Sequence, residues 1–177
     1  STPASTAGDR EIETLFQEAL AASLRVNGDW SWCTSDISMR YGQFLRERGR
    51  FEEAERVLKE GYSRLESGPV NIEWAFPIVA ELEALYKNWG KSEELVNWQH
   101  KRMNAAQRGL ARNANLLREN LNDPGLLTSH ASLLARIGQY DAAEAACRLA
   151  IRFQPNNIRA QRILADSLSG LSQHAEA

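Results

Sequence analysis

Apolar and polar positions along this 177-residue chain follow a helical rhythm broken at a few glycines. Between 51 and 65, the apolar or small residues Phe51, Ala54, Leu58, Gly61 and Leu65 step by 3, 4, 3, 4, which draws one stripe on an α-helix. Upstream, Tyr41, Leu45 and Arg48 step likewise on a preceding helix. Gly49 stands between the two, free to take the left-handed conformation that ends a helix. An earlier segment, roughly 9–26, carries its own stripe of Ile12, Leu15, Ala19, Ala22 and Val26. Residues 92–120 read as one long helix, with Leu95, Trp98, Ala106, Leu110, Leu117 and Leu121 near its buried face. Gly109 weakens that helix by about 1 kcal/mol relative to Ala. Asn122-Asp123-Pro124-Gly125 then breaks it. The pattern predicts an all-α chain built from helical hairpins.

The hairpin recurs. When Gly49 is set on Gly138, Gly42 falls on Ala131, Leu45 on Leu134, Phe51 on Tyr140, Ala54 on Ala143, Leu58 on Cys147 and Gly61 on Ala150. Small residues at 42 and 54 let two antiparallel helices approach closely. A third turn is anchored on Gly90, but Glu83 and Leu95 stand there where small residues are expected. Either that pair packs wider or Glu83 leans aside to water.

This punctuation resembles the tetratricopeptide repeat, a helical hairpin of 34 residues. Residues 124–157 carry the resemblance through Ala131, Leu134, Gly138, Tyr140, Ala143, Ala150 and Pro155, with Cys147 a small substitute for a large apolar residue. Residues 35–68 carry it through Gly42, Leu45, Gly49, Phe51, Ala54 and Leu58. A last unit opens at Ile158 with Leu164, Ala165, Leu168 and Leu171. The resemblance implies an α-α superhelix, a solenoid of antiparallel hairpins. The expected organisation is a flexible tail at 1–8 and a repeat domain at 9–177. Within it a single helix at 9–26 precedes hairpins at about 31–68, 72–121 and 124–157 and a partial unit at 158–177. The glycine anchors are 41 and 48 residues apart, so longer helices are expected in place of long loops. Lengthened hairpins resemble the kinesin-light-chain type of the family. The chain begins and ends with half units, which cannot bury their apolar faces alone, so a fragment of a longer array is expected.

Composition narrows the chemistry. The net charge of −2 argues against general binding to nucleic acid or to a membrane surface, because phosphate affinity rests on excess Lys and Arg. The charge is unevenly spread: residues 1–99 hold 11 Lys and Arg against 17 Asp and Glu, a net −6, and residues 100–177 hold 10 against 6, a net +4. Two distant cysteines, Cys33 and Cys147, form neither a disulfide framework nor a metal pattern and suggest a reducing, cytoplasmic compartment. His100, His130 and His174 lie far apart, and His130 falls on a core-facing position. Glu52–Glu53 and Glu93–Glu94 open helices, where negative charge complements the helix dipole. No catalytic, cofactor-binding or metal-ligating set emerges. Trp89 is expected to pack against the next hairpin and Trp98 to face the core, while Trp30, Trp32 and Trp74 stand at or before the starts of first helices.

The resemblance further implies a concave groove lined from the first helix of each unit. In this chain those positions are Met39, Gln43, Arg46 and Glu47, then Ala80, Ala84, Lys87 and Asn88, then Thr128, Ser132, Ala135 and Arg136, then Arg159, Arg162 and Asp166. The family's clamp for a chaperone-tail carboxylate is absent. Basic groups at 46, 87, 136, 159 and 162 suit a peptide with acidic side chains. The expected function is a non-catalytic scaffold that binds a protein or peptide. The alternative is a structural or self-association module of a larger signalling protein, joined through its terminal helices.

Overall fold

The structure, a computed structural model, describes residues 7–28, 31–66 and 75–175, with side chains through residue 172. Among these residues are eight α-helices and no strand. They are α1 (Ala7–Asn27), α2 (Trp32–Glu47), α3 (Phe51–Glu66), α4 (Phe76–Trp89), α5 (Ser92–Glu119), α6 (Pro124–Arg136), α7 (Tyr140–Phe153) and α8 (Ile158–Ala175). The chain divides into two compact units, residues 1–102 and 103–177.

Each unit repeats one packing scheme. In the first, α2 pairs with α3, and α4 lies against both. In the second, α6 pairs with α7, and α8 lies against both. This is the arrangement of a helical repeat array, in which each hairpin is covered by the first helix of the next.

The turns follow from glycine. Gly49, Gly90 and Gly138 have φ of 69°, 76° and 79°. That left-handed residue lets the chain reverse while the next amide reaches back to close the helix. Arg50 N–H donates to Leu45 O, Lys91 N–H to Tyr86 O and Gln139 N–H to Leu134 O, each at 3.0 Å.

Close approach of the paired helices rests on complementary sizes. A Cβ on Gly42 would fall 2.4 Å from the Leu58 side chain. In the second unit the same contact joins Ala131 and Cys147, both fully buried and packed with Ile163. Glycine against leucine and alanine against cysteine divide a similar volume in two ways, which accounts for the small residue at 147. The first unit's core gathers Leu45, Ala54, Leu58, Ile78, Leu82, Leu85 and Tyr86, all fully buried. Trp98 joins that core, edge-on to Tyr62 at 4.9 Å.

Several expectations are corrected. The longer helix expected from the spacing of Gly49 and Gly90 falls on residues 67–74, between α3 and α4, which lie outside the described residues. The spacing before Gly138 does lengthen one, since α5 runs for 28 residues. That helix ends at Glu119, leaving Leu121 in the following turn and exposed. Trp89 packs backward onto α3, tilted on Phe51 at 5.6 Å, with Lys91 over its ring. Glu83 does not turn to water. Its Oε1 lies 3.0 Å from Arg102 Nε, and burial pushes its carboxyl above the usual range. Trp30 and Trp74 and the side chain of His174 lie outside the described residues, as does the tail through residue 6.

Candidate functional site

The second unit contains an open cleft of about 390 Å³ between α6 and α8. Ser132, Ala135 and Arg136 line it from α6. Arg159, Arg162, Ile163 and Asp166 line it from α8, and Tyr140 reaches in from the start of α7. The local sequence places each wall. Asp123 caps α6 by accepting from Leu126 N–H at 2.9 Å, and Pro124 presets the first turn. Asn157 caps α8 by accepting from Ala160 N–H at 3.0 Å. The Asn157 amide also donates to the Thr128 hydroxyl at 3.0 Å, tying the start of α8 to α6. Gly170 lies against the Tyr140 ring, where a Cβ would fall within 3 Å. Three guanidinium groups and one carboxylate therefore face one volume, with an aromatic ring and an isoleucine beside them.

Of the groove positions read from the sequence, Ser132, Ala135, Arg136, Arg159, Arg162 and Asp166 meet in this cleft. Thr128 is placed differently. It is buried, its hydroxyl donates to Pro124 O at 2.6 Å, and it accepts from Asn157. In the first unit, Met39, Gln43, Arg46 and Glu47 stand on α2, and Ala80, Ala84, Lys87 and Asn88 on the neighbouring α4. Met39 packs on the core. Gln43 donates to Glu47 at 2.9 Å. Arg46 is paired with Glu81 across α2 and α4 and is largely shielded from water. Ala80, Lys87 and Asn88 are exposed. Tyr140 and Ile163 were not among the groove positions. Tyr140 was legible as a packing aromatic, and its second role depends on how α8 crosses it.

The comparisons come to one stretch of this unit. Residues 125–157, spanning α6, α7 and the turn into α8, match the family model described as tetratricopeptide repeat. This stretch is a tetratricopeptide repeat. No curated protein matches the chain. The first helix of this repeat supplies one wall of the cleft.

The remaining reactive side chains are placed as packing groups. Cys147 is buried, and loss of solvation pushes its thiol up to about 11. Cys33 is half-buried in the first turn of α2, its N–H donating to the capping Ser31 hydroxyl at 3.1 Å. His130 is half-buried on α6 with its Nδ1 unpartnered, and burial lowers its pKa. Among the described residues no group of three His, Cys, Asp or Glu is placed to hold a metal ion. No described helix is long and apolar enough to cross a membrane.

Proposed function

We propose that the chain is a non-catalytic binding module that holds an acidic segment of a partner protein in the α6–α8 cleft. The convergence of Arg136, Arg159 and Arg162 on one open volume beside Tyr140 supports this reading. Asp166 is the single acid among the lining residues, so the cleft's charge is net positive while the chain as a whole is net negative. A carboxylate-bearing segment gains charge-assisted hydrogen bonds from guanidinium groups there, and the tyrosine ring and Ile163 offer apolar contact for its backbone and intervening side chains. Such a site selects partners through charge and association rate more than through buried area.

Fluorescence polarisation with a labelled Glu-rich peptide tests the proposal, with a Lys-rich peptide and a single-stranded oligonucleotide as controls. The Glu-rich peptide binds, and added salt weakens it. Arg136→Glu and Arg162→Glu each weaken binding roughly tenfold, about 1.4 kcal/mol, and leave the unfolding midpoint in place. Unchanged affinity in the double charge reversal, or an oligonucleotide that binds more tightly than the peptide, would refute this reading.

A further inference from the structure

Two groups lining the α6–α8 cleft have no bonding partner among the described residues. The first is the Ser132 hydroxyl. Ser132 is buried, at 8% exposure, and lines the cleft from α6. Comparable buried hydroxyls turn back onto their own helix: Ser38 donates to Thr34 O at 2.9 Å, Thr128 to Pro124 O at 2.6 Å and Ser167 to Ile163 O at 2.8 Å. Ser132 makes no such bond among the described residues. A hydroxyl held this far from bulk water and bonded to nothing is a donor in reserve for what enters the cleft.

The second is the Arg162 guanidinium. Asp166 stands one turn further along α8, yet the two form no ion pair among the described residues. At the same spacing Arg40 pairs with Asp36 at 2.8 Å and Arg148 with Glu144 at 2.7 Å. In those pairs the acid precedes the base, the order that helix geometry favours, and in α8 the order is reversed.

Charge sets the valence of the occupant. Arg136, Arg159 and Arg162 against Asp166 give the lining three positive groups and one negative, a net +2. One carboxylate supplies a single negative charge. A phosphoryl group on serine carries about two near neutral pH and three strong acceptor oxygens. It balances the lining by itself and can accept from both walls at once.

We propose that the acidic segment is phosphorylated, and that its phosphoserine accepts from the three guanidinium groups and the Ser132 hydroxyl. Binding is then regulated by phosphorylation of the partner. This rests on the reading of the cleft as the partner site and adds the chemistry of the ligand.

Fluorescence polarisation on the whole chain compares three acidic peptides that differ only at a central serine, phosphoserine or glutamate. The phosphoserine peptide binds about tenfold more tightly than the serine peptide and several-fold more tightly than the glutamate peptide. Its affinity rises between about pH 5.5 and 7, as the phosphoryl group takes its second charge. The glutamate peptide does not follow, since its carboxylates are already ionised and no His lines the cleft. Ser132→Ala reduces the preference for phosphoserine over glutamate about threefold, and Asp166→Asn raises it. Circular dichroism checks that both variants keep their helices. A phosphoserine peptide that binds no more tightly than a bound glutamate peptide overturns this inference and leaves the acidic-segment site standing. If none of the three peptides binds, both fall. Inorganic phosphate that displaces the phosphopeptide at equal concentration also overturns it, because the ligand would then be a free anion.

Discussion

Single side chains decide how near two helices can come. Gly42 faces Leu58 with no space for a Cβ, whereas Ala131 faces Cys147 with the volume shifted across the seam. Gly42→Ala is expected to destabilise the first unit by about 1–3 kcal/mol through overpacking. Adding Leu58→Cys recovers part of that loss, because the pair then matches the one in the second unit. Urea unfolding of the two single variants and the double measures the coupling. His130 is the second case. Burial lowers its pKa below the ordinary 6.5, so the folded state prefers the neutral ring. Its contribution to stability is therefore present above pH 6.5 and declines as the pH falls toward the folded value. His130→Leu, which puts at 130 the residue found at the equivalent position 82, is expected to raise stability by about 1 kcal/mol by removing an unpartnered polar atom. It also flattens the loss below pH 6.5 in thermal melts.

At the scale of elements, α1 differs from the helices it resembles. Beside the packing of Phe16 on Tyr41 and Phe44, hydrogen bonds and ion pairs hold it, and these respond to acid. The Arg50 guanidinium beside Glu13 keeps that carboxyl below its ordinary 4.5, and Arg50 does the same for Glu53. Groups depressed in this way stabilise the fold above the ordinary value and lose that effect as the pH falls through the depressed one. The melting temperature is therefore expected to fall below about pH 4.5. Glu13→Gln lowers it at neutral pH and makes the acid limb shallower. A melting curve against pH with the same acid limb in wild type and Glu13→Gln contradicts this account of how α1 is held. The stripe on α1 was legible as a helix seam because its spacing is periodic. That Leu15 and Val26 of the seam face water was not, because periodicity marks an apolar side without saying what covers it.

At the scale of the molecule, the two units have separate cores, and all five tryptophans stand at positions 30–98 in the first. Tryptophan fluorescence thus reads the first unit, and far-ultraviolet circular dichroism reads both. Leu133→Ala removes a fully buried side chain from the second unit at a cost of about 2–5 kcal/mol. It is expected to shift the dichroism transition in urea to lower concentration while the fluorescence midpoint moves less. Equal shifts in both signals would show that the units unfold as one. The cleft also belongs to this scale. Arg136, Arg159 and Arg162 were legible as groove positions from their register in the repeat, but their meeting with Tyr140 depends on the crossing of α8 over α7, which the close fit of Gly170 on the ring permits.

The sequence by itself determined the helices, their hairpin turns and the repeat in 124–157. These depend on local rules: apolar spacing at the helical period, glycine where φ must be positive, and small residues where helices touch. Only the tertiary structure decided the partner of Glu83, the backward packing of Trp89, the burial of Thr128 under Asn157 and the exposure of the α1 seam. Each of these is set by residues distant along the chain, whose positions follow from how whole helices pack.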